Sequence, residues 1–136
     1  MDRVRDAMIA EPRSLPATAT AQEAGEVLTP AVVRAVFVVD ADGGLVGVVT
    51  RKTLVSRVVA AGLDPRATAL AAIAEEPHYT LGPDVALEEA FRFIEERGAE
   101  RVPVVEAGRL IGVVSRAVLQ RRLAEDEEPP ELPPAA

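Results

Sequence analysis

The sequence predicts a mixed α/β (α+β) fold in which two β-α-β-β-α repeats pack as a pseudo-twofold pair. The first observation is an internal repeat: Gly47 and Gly112 are 65 residues apart, and so are Thr50 and Ser115. The second is that each copy contains two β-branched runs around a short glycine-containing turn, which is typical of a hairpin. The third is size, because a unit of about 60 residues buries only a marginal core alone. We therefore expect the two units to pack together.

The first repeat is predicted over residues 1–62. Its elements before the last helix are a short helix Val4–Ile9, a strand Ser14–Leu15, a helix Ala21–Leu28, and hairpin strands Ala35–Asp40 and Leu45–Val49. A final helix begins at Thr50, because a threonine hydroxyl can accept hydrogen bonds from the amides of the first turn, and it ends near Gly62. The apolar residues expected to face inward on this helix are Leu54, Val55, Val58 and Val59.

The second repeat, residues 63–124, has the same order and a more regular pattern. Asp84 is expected to cap its main helix and Gly98 to end it, while Ala107-Gly108 forms the hairpin turn. The other predicted elements are a lead helix Leu70–Ala74, a strand Tyr79–Thr80, strands Val102–Val105 and Leu110–Val114, and a helix Ser115–Leu123. Residues 125–136, EDEEPPELPPAA, are predicted to be a disordered acidic tail, since they contain no pattern that buries apolar surface.

Composition excludes several classes of function. Residues 1–124 hold 15 Lys and Arg against 17 Asp and Glu, so the body is nearly neutral and has no basic stripe for nucleic acid. The sequence has no apolar run of membrane-spanning length and no signal-peptide pattern, so we expect a cytoplasmic protein that does not bind membranes. The chain has no cysteine and His78 is its only histidine, which argues against a metal centre or a nucleophile–base pair.

The element order, with ERVPV before one hairpin turn and G-hydrophobic-V-[ST] after both, resembles the cystathionine-β-synthase-type (CBS) domain. Two such domains in tandem form a Bateman module, and the resemblance covers roughly residues 3–123. The linking segment AAGLDPRATA is also similar to that of small stand-alone CBS pairs of actinobacteria related to hypoxic-response proteins. The resemblance implies a non-enzymatic regulatory module that binds AMP, ADP, ATP or another adenosyl ligand in clefts between the repeats.

The resemblance also implies which residues would bind the ligand. In one cleft Ser115 would face the phosphate beside Arg101, and the first repeat would close the cleft with Ser14, Val33 and Arg34. The other cleft would be formed by Thr50, Arg51 and Lys52, and closed by Thr80, Ala99 and Glu100. The family's ribose-binding aspartate is replaced by Thr53 and Val118. Any adenine nucleotide is therefore expected to bind weakly, and preferentially in the Ser115 cleft.

Three functions remain open from the sequence: a ligand-sensing module, a ligand-free scaffold for dimerisation or partner docking, and an enzyme. Thr50 and Ser115 are effective helix caps whether or not a ligand exists, and no catalytic constellation supports the enzyme. We expect a homodimer, because the helices beside the hairpins carry more apolar positions than one sheet face can cover. These positions include the four named above and Phe91, Phe93 and Ile94.

Overall fold

The computed structural model describes residues 2–126; Met1 and residues 127–136, which form most of the predicted tail, lie outside the described residues. The helices are α1 (Val4–Ala7), α2 (Ala21–Leu28), α3 (Arg51–Leu54), α4 (Leu70–Ile73), α5 (Leu87–Glu96) and α6 (Arg116–Asp126), and α3 continues as a π-helix over Val55–Val59. The strands are β1 (Ile9–Ala10), β2 (Ser14–Pro16), β3 (Val36–Val39), β4 (Leu45–Val49), β5 (Arg101–Glu106) and β6 (Arg109–Ser115). In the described part of the chain, no helix is both long and apolar enough to span a bilayer.

The strands form two three-stranded sheets with the orders β2-β3-β4 and β1-β6-β5. β3 and β4 form one antiparallel hairpin and β5 and β6 form the other. β2 runs parallel to β3, with Ser14 opposite Phe37, and β1 runs antiparallel to β6, with Ile9 opposite Val113. The mixed fold class and the two hairpins predicted from the sequence are confirmed.

The lead segment of each repeat completes the core of the other repeat. Val4 in α1 is fully buried among the apolar residues of the second repeat, and β1 extends the second sheet. In the opposite direction, Leu70 is fully buried in the core of the first repeat. Glu75 and Val48 exchange backbone hydrogen bonds of 2.8 and 2.9 Å. Neither core is complete without the lead segment of its neighbour.

Gly47 and Gly112 are the points where these lead segments cross the hairpins. A Cβ atom at Gly47 would lie 2.7 Å from the Glu75 carbonyl oxygen and 2.9 Å from the Ala74 Cβ. A Cβ atom at Gly112 would lie 2.6 Å from the Met8 Sδ. Real Cβ atoms do not approach other atoms so closely, so a side chain at either position would force the crossing lead segment to shift, through its backbone at Gly47 and through the Met8 side chain at Gly112.

The two hairpin turns meet each other. Ala107 and Gly108 both have positive φ, 52° and 79°, as a two-residue type I′ turn requires. The Leu45 amide donates to the Gly108 carbonyl at 3.2 Å, and the Leu110 amide donates to the Gly43 carbonyl at 3.0 Å. The reciprocal pairing agrees with the pseudo-twofold arrangement predicted from the repeat.

Two expectations for the second repeat are wrong. α5 begins after Ala86, which provides no capping side chain, and Asp84 does not cap it. The Asp84 carbonyl instead accepts a hydrogen bond from Arg3, and its carboxylate lies 3.5 Å from Arg5. The strand predicted at Tyr79–Thr80 is replaced by a single parallel bridge between Leu81 and Val104.

Two helix predictions also differ from the structure. Val55 and Val59 are 60% and 73% exposed, although both were expected to face inward, whereas Val58 is buried. The cause is the π-helix, in which the wider turn prevents the apolar positions from sharing one face as they would in an α-helix. α6 also continues to Asp126, beyond the predicted end at Leu123.

Candidate functional site

A cleft of about 230 Å³ lies between the first repeat and the sheet of the second repeat. We call it the Arg101 cleft. Its lining is contributed by β1, the segment before β2, the loop before β3, and the strands β3, β5 and β6. The lining residues are Ile9, Glu11, Pro12, Arg13, Val32, Val33, Arg34, Ala35, Phe37, Arg101 and Val113. Three of the predicted site residues, Val33, Arg34 and Arg101, are therefore brought together.

The Arg101 cleft carries a surplus of positive charge. The exposed guanidinium groups of Arg13, Arg34 and Arg101 all line it, against one carboxylate, that of Glu11. Within residues 2–126, none of these three arginine side chains takes part in an ion pair or a hydrogen bond. An unpaired guanidinium offers a planar set of donors suited to a phosphate or a carboxylate. The arrangement is suited to an anion.

The two predicted serines lie beside this cavity and do not line it. Ser115 is opposite Arg101 in the β5–β6 register, and its Oγ accepts a hydrogen bond from the Val118 amide at 3.2 Å. It therefore acts as the N-cap of α6. Ser14 is exposed in β2, directly after Arg13. Its neighbour Arg13 was missed by the sequence reasoning, although its position one residue before a predicted site residue could have identified it.

The Thr50 site at the start of α3 is occupied by the chain's own side chains. Thr50 and Thr53 form a reciprocal cap, in which the Thr50 Oγ1 accepts from the Thr53 amide at 3.3 Å and the Thr53 Oγ1 accepts from the Thr50 amide at 3.0 Å. The Thr53 side chain is buried, and its hydroxyl donates to the Glu75 Oε1 at 3.2 Å. Glu75 in turn lies 3.9 Å from the Arg57 Nε. A carboxylate therefore stands beside the first turn of α3, where the resemblance implied a phosphate.

Of the two basic residues predicted for this second cleft, Lys52 is exposed, whereas Arg51 is bound to backbone carbonyls. Arg51 donates to the carbonyl oxygens of Leu28, the last residue of α2, and of Pro30, two residues beyond it. Thr80 and Glu100 are exposed. In the repeat alignment, Glu100 corresponds to Arg34 and Ala35 corresponds to Arg101. The two positions that are equivalent in the repeat, 34 and 100, therefore carry opposite charges.

A metal centre has no support in the part of the chain that the structure describes. No group of three or more His, Asp or Glu side chains in residues 2–126 is placed to hold an ion. His78 instead lies against Tyr79, with ring centroids 6.1 Å apart. Among the described residues there is therefore no cluster of three such side chains that could hold a cation.

Two α+β repeats that exchange their lead segments around a shared cleft define a tandem-repeat module. A CBS domain family model matches residues 4–60 and again residues 70–125. The chain therefore belongs to the CBS domain family, and it contains a tandem pair of these domains.

Known proteins of similar sequence and structure include Hypoxic response protein 1 of Mycobacterium tuberculosis. It is 33% identical over 84 residues, which cover 62% of this chain and 59% of that protein, so the match spans less than two thirds of the relative. The crystal structure of Hypoxic Response Protein I with two coordinated zinc ions has a TM-score of 0.77 and 28% identity, covering 90% of this chain and 99% of that one.

Two further matches are to proteins of other kinds. The crystal structure of CBSX2 in complex with AMP has a TM-score of 0.75 and 23% identity, covering 92% of this chain and 98% of that one, and it shows similarity of fold. The A-adding tRNA nucleotidyltransferase of Aquifex aeolicus is 29% identical over 126 residues, which cover 93% of this chain and 15% of that enzyme.

Proposed function

We propose that the chain is a non-enzymatic regulatory module that binds an adenine nucleotide or a related adenosyl phosphate in the Arg101 cleft. The observation that carries this proposal is the convergence on one cleft between the repeats of three arginines that have no partner within residues 2–126. A bound phosphate would gain charge-assisted hydrogen bonds, which are about twice as strong as neutral ones. The similarity of fold to CBSX2, which was solved with AMP, supports this choice of ligand.

The lining of the cleft suits the two ends of a nucleotide. Val32, which is 81% exposed, provides an apolar surface on which a base can lie, while Arg34 and Arg101 provide donors for phosphate oxygens. The volume of about 230 Å³ is slightly below the roughly 300 Å³ at which ligand pockets usually begin, so a mononucleotide would stay partly exposed. The Thr50 site is the poorer candidate, because Glu75 would repel an anion there.

Affinity is expected to be low. Valine at position 118 provides no acceptor for the ribose hydroxyls, and the loss of hydrogen bonds to a carboxylate costs about 1.5–3 kcal/mol. That cost corresponds to roughly a 10- to 100-fold loss of affinity. A dissociation constant in the high micromolar to millimolar range is therefore proposed, with one site per chain.

The proposal is tested by titrating the chain with AMP, ADP, ATP and an adenosyl sulfonium compound. Binding is measured by calorimetry and by the change in melting temperature. We expect one weak site and about tenfold weaker binding in Arg101→Ala. Arg92→Ala, which removes an exposed arginine outside the cleft lining, is the matched control and should bind as the parent does. Sub-micromolar binding, or binding that is unchanged in both Arg101→Ala and Ser115→Ala, would overturn the proposal.

The second part of the proposal is that the chain forms a homodimer. The alternative function, a ligand-free docking scaffold, includes the same homodimer. Val55, Val59 and Leu63 are 60%, 73% and 46% exposed at one end of the first repeat. An apolar surface of this kind is typical of an interface. Light scattering should give twice the chain mass of 14.4 kDa.

A charged substitution tests this interface. Val59→Asp should give monomers, whereas Val32→Asp, at a valine that is 81% exposed in the Arg101 cleft, should not. A monomeric parent chain at micromolar concentration contradicts the dimer. A dimer that binds none of the adenosyl compounds favours the scaffold over the sensor.

A further inference from the structure

We propose that Glu11 is a specificity residue of the Arg101 cleft, which weakens the binding of ligands with several phosphate groups more than that of ligands with one. The Glu11 carboxylate would repel the second and third phosphate groups of a nucleotide. The proposal rests on the proposed function in one respect only, namely that the ligand of the Arg101 cleft contains phosphate.

Glu11 contributes the one carboxylate in the lining of the Arg101 cleft. The other charged groups of the lining are the guanidinium groups of Arg13, Arg34 and Arg101, so the lining has a surplus of two positive charges. Within residues 2–126, the Glu11 carboxylate forms no ion pair with these arginines and accepts no hydrogen bond. Its charge is therefore not neutralised at close range, and it acts on any anion that enters the cleft.

The backbone at Glu11 has an unusual conformation. Its φ is 52°, and among the described non-glycine residues only Ala107, in a hairpin turn, also has a positive φ. This region is unfavourable for a residue with a Cβ atom. Glu76-Pro77 is the equivalent of Glu11-Pro12 in the second repeat, and it has no positive φ. The conformation therefore comes from the tertiary structure around the cleft and not from the local sequence, as is common for residues at binding sites.

The segment that contains Glu11 is fixed at both ends, one in each sheet. Before it, β1 pairs with β6 as far as Ala10. After it, the Arg13 carbonyl accepts a hydrogen bond from the Phe37 amide of β3 at 3.0 Å. Pro12, between the two ends, has a restricted φ. The backbone cannot withdraw Glu11 from the cleft without loss of sheet pairing, so its charge remains near a bound ligand.

The size of the effect depends on the charge of the ligand. In water, a unit charge on the ligand about 8 Å from the carboxylate changes the affinity by about twofold. AMP carries about two negative charges near neutral pH, and each further phosphate group adds about one more. Removal of the Glu11 charge should therefore strengthen the binding of ATP about fourfold more than that of AMP.

Calorimetric titration of the full chain with AMP and with ATP tests the proposal, in magnesium-free buffer of low ionic strength. The variants are Glu11→Gln, Glu11→Asp and Glu89→Gln. Glu11→Gln removes the charge and keeps the size of the side chain, whereas Glu11→Asp keeps the charge and is a residue type that adopts positive φ more readily. Glu89→Gln is the matched control, because it removes the same charge from an exposed position on α5, outside the cleft lining.

The quantity that decides the proposal is the ratio of the ATP affinity to the AMP affinity. We expect this ratio to rise about fourfold in Glu11→Gln and to stay at the parent value in Glu11→Asp and in Glu89→Gln. The rise should decrease at high salt, because salt screens the charges. A role of Glu11 in structure alone would change both affinities by the same factor. An unchanged ratio in Glu11→Gln, or an equal rise in Glu11→Asp or Glu89→Gln, would overturn the proposal.

Inorganic phosphate and inorganic triphosphate separate this proposal from the proposed function, since they carry the charges without adenosine. Their binding to the same variants is measured by the change in melting temperature. If the nucleotides do not bind, but triphosphate gains more affinity than phosphate in Glu11→Gln, the adenosyl ligand fails while the role of Glu11 stands. If Arg101→Ala weakens AMP binding and the ratio is unchanged in Glu11→Gln, the proposed function stands while the role of Glu11 fails. A chain that binds neither nucleotides nor inorganic anions contradicts both.

Discussion

The two helix starts at Ser115 and Thr50 are equivalent in the repeat, and their surroundings are opposite. Ser115 lies beside a cleft with three arginines that have no partner in residues 2–126. Thr50 lies beside a closed set of hydrogen bonds in which Thr53 binds the Glu75 carboxylate. The backbone repeat is retained at both positions, while the side chains give a cleft lined by arginines at one and a hydrogen-bonded polar cluster at the other.

The exchange of lead segments explains this difference. The carboxylate at the Thr50 site comes from the lead segment of the second repeat, where Glu75 pairs with Val48. The corresponding lead segment of the first repeat pairs through Ile9 and Ala10, which have no charge. The chemistry of each site is thus determined by a segment that lies elsewhere in the sequence, 22 residues from Thr53 in the case of Glu75. The two sites can therefore diverge while the fold stays the same.

The largest expected effect is on stability, at the glycines where the lead segments cross. Gly47→Ala should lower the free energy of unfolding by about 3 kcal/mol, because the new methyl group meets the backbone oxygen of Glu75 at 2.7 Å and cannot displace it cheaply. Gly112→Ala should lower the free energy of unfolding by about 1 kcal/mol, because the flexible Met8 side chain can move away. Urea denaturation measures both. Equal costs would show that the two crossings do not differ as described.

The next largest effect is on AMP binding, and it tests whether charge distinguishes the Thr50 and Ser115 helix starts. The double substitution Ala35→Arg with Glu100→Arg places arginines at the positions that correspond in the repeat to Arg101 and Arg34. Because Ala35 also lines the Arg101 cleft, the affinity of the first site is measured in the same variants. We expect no second AMP site from the double substitution, because the Glu75 carboxylate remains at the start of α3. Addition of Glu75→Ala should then give a second site within about tenfold of the first.

Calorimetric stoichiometry is the measurement for this comparison. A change from one site to two should require all three substitutions. A second site in the double variant would show that Glu75 does not exclude anions. One site in the triple variant would show that charge alone does not distinguish the two positions.

Much of the fold could be predicted from the sequence, because its signals are local. The bounds of α2, Ala21–Leu28, agree with the prediction, and both hairpin turns lie where their glycines indicated. Of the candidate site, Arg101, Val33 and Arg34 were predicted by resemblance and line one cleft. That these residues bind a ligand stays a prediction.

The rest depended on contacts between residues far apart in the sequence. Glu75 enters the Thr50 site only because its lead segment is exchanged between the repeats, and no local pattern indicates that exchange. The exposure of Val55 and Val59 follows from a π-helical turn that has no distinct apolar periodicity in the sequence. Asp84 had the residue type of a helix cap, but ion pairing with Arg5 from the other repeat's lead segment takes its carboxylate.

The smallest expected effect isolates the contact between Thr53 and Glu75. Glu75→Ala should lower the free energy of unfolding by about 1 kcal/mol or less, because the Thr53 hydroxyl can still form a hydrogen bond with the Thr50 hydroxyl at 3.1 Å. Thr53→Val should cost about 1 kcal/mol, since it removes the acceptor for the Thr50 amide. If the two side chains interact directly, the double variant should cost less than the sum by about 0.5 kcal/mol. Additive costs in urea denaturation would mean that Glu75 is not bound by Thr53 in solution, and the Thr50 site would then be open to an anion.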